Sequence, residues 1–99
     1  MQYKVSISDR AIANLENIFE YLIQNWSEKV DANFKKILLS KIHSLSENPF
    51  MYPESNIKHG IRKCVVTKHN ILYYRIITDE IEIITIHDTR QNPKSLELD

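Results

Sequence analysis

Four histidines, one cysteine and three arginines in strand-like or strand-end contexts are the side chains here whose types suit chemistry. His87 stands at the end of an isoleucine-rich run, where an imidazole could titrate near neutrality, or simply hydrogen-bond to backbone or solvent. His69 falls in a turn-like Lys-His-Asn, His43 in a helical stretch and His59 in a loop. None of these positions has the spacing of metal ligands, so neither a metal nor another cofactor is expected. Cys64 would need a depressed pKa and a positioned base to act as a nucleophile. Its neighbour Lys63 points to the opposite face of a strand, which leaves a structural thiol as the expectation. Arg62, Arg75 and Arg90 stay protonated and suit the anchoring of anions or partner groups better than proton abstraction. Tyr73 and Tyr74 place one ring on each face of a strand, one in the core and one on an open face. Arg75 shares the face of Tyr73 and Ile71 in a regular strand, as a solvated or salt-bridged cation.

The elements that must position these residues are legible from periodicity. Tyr3, Val5 and Ile7 alternate with polar residues, the period of two of a strand over residues 2–7. Ser8 or Asp9 caps a helix whose apolar stripe runs Ile12, Leu15, Ile18, Phe19, Leu22, Ile23 and Trp26. Asn25, Trp26 and Ser27 interrupt it. Val30, Phe34, Ile37, Leu38, Ile42 and Leu45 then carry a second helix to Asn48-Pro49, making a helical hairpin. Trp26, at the junction, is expected to be largely buried and to anchor the turn.

Residues 49–60 hold two of the three prolines and the only glycine, which marks a loop. Segments 61–67, 71–78 and 81–87 are rich in Ile, Val, Thr and Tyr, separated by Lys68-His69-Asn70 and Asp79-Glu80, and read as three consecutive antiparallel strands. The last, apolar on both faces at Ile81, Ile83, Ile84 and Ile86, is expected in the middle of its sheet. The order β-α-α-β-β-β predicts an α+β fold of two layers, a helical hairpin packed on one face of an antiparallel sheet, with residues 1–99 forming a single domain.

Composition narrows the function classes. Lys plus Arg and Asp plus Glu are 13 each, so the chain lacks the basic surplus of proteins that live on phosphate contacts. One cysteine cannot form an intramolecular disulfide and the N-terminus has no signal-peptide layout, which points to the cytoplasm. The longest apolar-rich stretch, residues 65–86, is broken by Lys68, His69, Arg75, Asp79, Glu80 and Glu82, so no membrane span is expected.

Val5, the Asp9-Arg10-Ala11 helix start, Asn48-Pro49, Arg62, Tyr73-Tyr74-Arg75-Ile76 and the run from His87 to Pro93 together resemble the RelE/ParE toxin family of bacterial type II toxin–antitoxin systems. The resemblance covers nearly the whole chain. It implies a first strand beside the last in an antiparallel sheet, a helical hairpin on one face, a concave functional face on the other, and a cognate antitoxin partner that alone mediates any contact with operator DNA. RelE-like members are ribosome-dependent mRNA interferases; ParE-like members poison DNA gyrase by binding.

Metal-free RNA cleavage needs a base for the 2′-hydroxyl, cations for the phosphorane and an acid for the leaving oxygen. RelE-like ribonucleases carry two lysines on the second strand, an arginine early in the third, an arginine after the last strand and a tyrosine near the C-terminus. The matching positions are Arg62 and Cys64, then Ile71, then Arg90 or Gln91, and no tyrosine follows Tyr74. Only arginines survive, with His87 as a substitute acid of the kind some relatives use. The resemblance therefore implies a ParE-like toxin that inhibits gyrase by binding, with Arg62, Arg75 and Arg90 as target-binding candidates. The alternative is a RelE-like endoribonuclease acting through Arg62, His87 and Arg90 on ribosome-bound mRNA.

Overall fold

The computed structural model describes residues 2–90. Gln91 and the Asn92-Pro93 end of the family-like motif lie outside the described residues. The elements are β1 (Lys4–Ile7), α1 (Asp9–Asn25), α2 (Glu28–Glu47), β2 (Arg62–Thr67), β3 (Asn70–Ile77) and β4 (Glu80–Asp88), in the expected order. The sheet order is β1-β4-β3-β2, so the isoleucine-rich last strand is central and lies beside the first.

One part of the expected sheet is different. β2, β3 and β4 are antiparallel neighbours, but β1 runs parallel to β4, Lys4 opposite Glu80 and Ile7 opposite Ile83, so the sheet is mixed. Two hairpin reversals cancel between β2 and β4. The helical pair and the following loop deliver the chain to β2 in the direction of β1, and parallel pairing at β4 follows.

Ser8 joins the layers. Its hydroxyl oxygen caps α1 by accepting from the Ala11 N–H at 3.1 Å and donates to the Ile84 carbonyl at 2.6 Å, while its own N–H reaches the Ile83 carbonyl. Ala11 and Leu15 then face the sheet from α1, and Phe34, Leu38 and Leu45 face it from α2. They close over Cys64, Leu72, Tyr74, Ile81, Ile83 and Ile86. Full burial of aliphatic side chains such as Leu45, Leu72 and Ile81 is worth about 1.5–3 kcal/mol each relative to exposure. Phe19 and Phe34 meet edge to face at 6.2 Å and hold the two helices together.

Trp26 does not anchor the hairpin turn; it is 69% exposed. It is the C-cap of α1, with φ −128° and ψ −93°, so the helical period that placed it on the buried stripe has already ended. Ser27 makes the turn instead, capping α2 by accepting from the Val30 N–H at 3.1 Å.

The register between β3 and β4 slips by one residue after Tyr73. Tyr74 enters the helix-side core and donates to the buried Pro49 carbonyl at 2.5 Å, whereas Tyr73 joins Ile61, Ile71 and Ile84 in a separate cluster. The two rings thus take opposite faces, as alternation predicts, and both are buried. Pro53, Glu54 and Ser55 fold back along the outer edge of β2, through Lys63 N–H to the Pro53 carbonyl and Ser55 N–H to the Ile61 carbonyl. Gly60 permits that return with φ +84°.

Candidate functional site

The arginines and the histidine singled out in the sequence are not brought together. Arg62, at the start of β2, donates from Nη1 to the Tyr52 carbonyl at 2.6 Å and lies 5.3 Å from the Phe50 ring centroid, so it fastens the 49–60 loop. Arg75, on the opposite face, donates from Nε to Glu82 Oε1 across the β3–β4 pair at 2.7 Å. Arg90, beyond β4, holds Asp88 bidentately, Nε to Oδ1 at 3.0 Å and Nη2 to Oδ2 at 2.9 Å, and lies over the Tyr21 ring. Hydrogen bonding from Arg90 is the main cause that pulls the Asp88 carboxyl below its ordinary range. Each guanidinium already has a partner, and Arg62 and Arg90 sit at opposite ends of the sheet.

His87 is 9% exposed in β4, opposite Ile71, on the face away from the helices. Cys64 is wholly buried on the other face, beside the Tyr52 hydroxyl, and burial raises its thiol pKa, which fits the structural role expected of it. Among the described residues no group of three or more His, Cys, Asp or Glu side chains could hold a metal ion, and no helix is long and apolar enough to cross a membrane.

A groove of about 820 Å³ opens where the helical hairpin stands away from the β2–β3 end of the sheet. Its apolar wall comes from Ile18, Tyr21 and Leu22 of α1 and Val30, Phe34 and Ile37 of α2, with Ile86 beneath and Trp26 at the mouth. Its polar wall is the β2–β3 turn, Lys68, His69 and Asn70, with Asp88 and Arg90. That turn is fixed: Thr67 Oγ1 accepts from the His69 N–H and from Asn70 Nδ2, and Thr89 N–H donates to the His69 carbonyl at 2.8 Å. Asn14 closes the inner end, its Oδ1 accepting from the Thr85 hydroxyl at 2.7 Å and the Ile86 N–H at 3.1 Å. The groove is an apolar trough whose polar rim carries Lys68, His69, Asp88 and Arg90.

The sequence missed this groove. Its walls were assigned to helix stripes and a turn, and the exposure of Trp26 and Val30, both on predicted apolar stripes, shows that the stripes are not fully covered. Of the three arginines proposed for target binding, Arg90 alone lines it.

The model of the ParE toxin of the type II toxin–antitoxin system parDE matches residues 5–93. The chain belongs to the ParE toxin family. Toxin ParE1 of Caulobacter vibrioides is 30% identical to it over 90 residues, covering 90% of this chain and 92% of that one. A chain of the chromosomal ParDE system of P. aeruginosa superposes with a TM-score of 0.77 at 13% identity, covering 88% of this toxin and 96% of that chain. The RelBE2 toxin–antitoxin complex of Mycobacterium tuberculosis contributes a chain with a TM-score of 0.61 at 15% identity, covering 89% and 99%. These two likenesses establish the shared RelE/ParE toxin fold. The protein is a toxin of a type II toxin–antitoxin system.

Proposed function

We propose that this ParE-family toxin acts in the cytoplasm by binding DNA gyrase, and that a cognate antitoxin neutralises it by seating an amphipathic helix in the groove between the hairpin and the β2–β3 turn. The observation that carries the binding reading is the dispersal of Arg62, His87 and Arg90, the three residues a ribonuclease reading requires. A general acid and its cationic partners must sit within hydrogen-bond reach of one substrate. Arg62 and His87 here lie on opposite faces of the sheet, and Arg90 is engaged by Asp88. Apolar walls with a Trp, a Tyr and an Arg at the rim supply the anchor types that dominate protein interfaces. Operator DNA is met only through the antitoxin, in keeping with a formal net charge of zero.

Induction of the toxin alone, followed by parallel measurement of DNA damage, cell filamentation and protein synthesis, tests the reading. Gyrase poisoning gives DNA damage and filaments while translation continues, and the purified toxin inhibits gyrase supercoiling in vitro. Early translation arrest with cleaved messages would replace gyrase by the ribosome as the target and make the toxin an mRNA interferase.

A further inference from the structure

The groove between the helical hairpin and the β2–β3 turn is charged on one wall only. The helices line it with apolar side chains and with the amides of Asn14, Asn17 and Asn33. Among the described residues, every charged side chain that lines it, Lys68, Asp88 and Arg90, comes from the sheet wall. Arg90 and Asp88 hold each other through two hydrogen bonds, at 3.0 and 2.9 Å, so their charges offset one another locally. Lys68 has no such partner. It is exposed at the tip of the β2–β3 turn, its ammonium is in no ion pair among the described residues, and only its carbonyl is engaged, accepting from the Thr89 hydroxyl at 3.3 Å. The backbone that presents it is fixed by Thr67 Oγ1 on one side and by the Thr89 N–H on the other. One wall therefore offers a single unopposed cation and the other offers amides.

We infer that the antitoxin helix seated in this groove carries its carboxylates on one flank, against Lys68, and uncharged polar residues on the other, against Asn17 and Asn33, so that the groove fixes the direction in which the helix runs. This rests on the reading that a helix occupies the groove. Apolar walls alone accept an amphipathic helix either way round: turning it end for end keeps its apolar stripe on Ile18, Phe34 and Ile86 but exchanges its two flanks. A wall with one unopposed cation makes the two placements unequal. In one the carboxylates meet the Lys68 ammonium; in the other they meet amides, and Lys68 is left facing an uncharged flank. Asp88 does not spoil the acidic fit, because both of its carboxylate oxygens already accept from Arg90. Lys68, rather than Arg90, is thus the residue that sets partner choice at this rim. A solvated rim cation of this kind acts on the rate of association and on its salt dependence more than on the lifetime of the complex.

Stopped-flow association of the full toxin with its complete cognate antitoxin, at low and high salt, tests the charge. Lys68→Glu should slow association by about tenfold or more at low salt, with most of that loss gone at high salt, and Lys68→Arg should keep the wild-type rate. Lys36→Glu, the same change of charge on α2 outside the groove lining, should keep it too. The direction is read by placing the photocrosslinker p-benzoylphenylalanine at His69 or at Asn33 and mapping the antitoxin residues captured. From His69 the crosslinks should fall on or beside Asp or Glu, and from Asn33 on uncharged polar residues of the same helix. Acidic residues captured from Asn33, an unchanged association rate for Lys68→Glu, or an equal loss for Lys36→Glu would each overturn the inference while leaving a helix in the groove. Absence of crosslinks from both positions, together with full antitoxin affinity of Trp26→Ala, would remove the helix from the groove and the inference with it.

Discussion

Asn14 and Thr85, 71 positions apart, are joined by a 2.7 Å hydrogen bond, and the same Asn14 oxygen takes the Ile86 N–H. One side chain of α1 thus satisfies β4 immediately beyond the point where its register with β3 slips. Replacing Asn14 with Ala leaves both donors without that acceptor, and an unsatisfied donor typically costs about 1–3 kcal/mol. Urea denaturation of Asn14→Ala should show a lowered midpoint with an unchanged slope. A midpoint equal to wild type would mean that water replaces the amide at no cost.

Trp26 offers the reverse test. Because it is exposed, Trp26→Ala should change folding stability by less than about 1 kcal/mol, as for other surface positions. Affinity for the antitoxin should fall by about 2 kcal/mol or more if the ring is a buried anchor of that interface. Trp26 is also the chain's sole tryptophan, so its emission reports directly on the groove: red-shifted in the free toxin, blue-shifted on antitoxin binding. An emission maximum that does not move in the complex would put the antitoxin elsewhere.

His87→Gln removes the titratable group and keeps polarity. If toxicity comes from binding, growth inhibition should remain nearly intact in a host lacking the antitoxin. Loss of a general acid lowers a rate by about 10²- to 10⁴-fold, so a folded, antitoxin-binding His87→Gln variant without toxicity would convert the binding reading into an enzymatic one.

Asp88 gives a pH dependence with a definite sign. Its folded pKa is depressed by the Arg90 hydrogen bonds, so the stabilisation is present above the unfolded carboxyl pKa and is lost as pH falls through the folded one. Stability measured from neutrality down through about pH 4 and below, where carboxylates protonate, should fall less steeply for Asp88→Asn than for wild type. Superimposable acid limbs would show that the ion pair, whose arginine is exposed, contributes nothing measurable.

Apolar period made the helices, the strand order and the central place of the last strand readable, because Ile81, Ile83, Ile84 and Ile86 leave no polar face for a sheet edge. The direction of β1 was not readable. Val5 and Ile7 alternate identically in a parallel or an antiparallel pairing, and only the path through the loop decides. Trp26 was misplaced since a stripe says which side of a helix is apolar, not where the helix ends. Nor does it say how far the hairpin stands off the sheet, and that distance is what creates the groove. The Arg90–Asp88 pair is local enough to anticipate, two positions apart. The partners of Arg62 and Arg75 depend on tertiary placement, and without them the arginines read as available when they are not.

The parallel seam between β1 and β4 also sets an order of events. The Ser8 hydroxyl that starts α1 donates to a carbonyl 76 positions later, and among the described residues β1 pairs with β4 alone. Such a long loop must close before the contact rewards it, whereas the β2–β3 and β3–β4 hairpins and the helical pair form from near neighbours. The N-terminal strand is therefore the last piece to dock and, being four residues long at a sheet edge, the first to fray. A chain opened at that seam keeps its helical groove and its three-stranded meander, so a partially unfolded toxin still presents the surface on which an antitoxin could capture it.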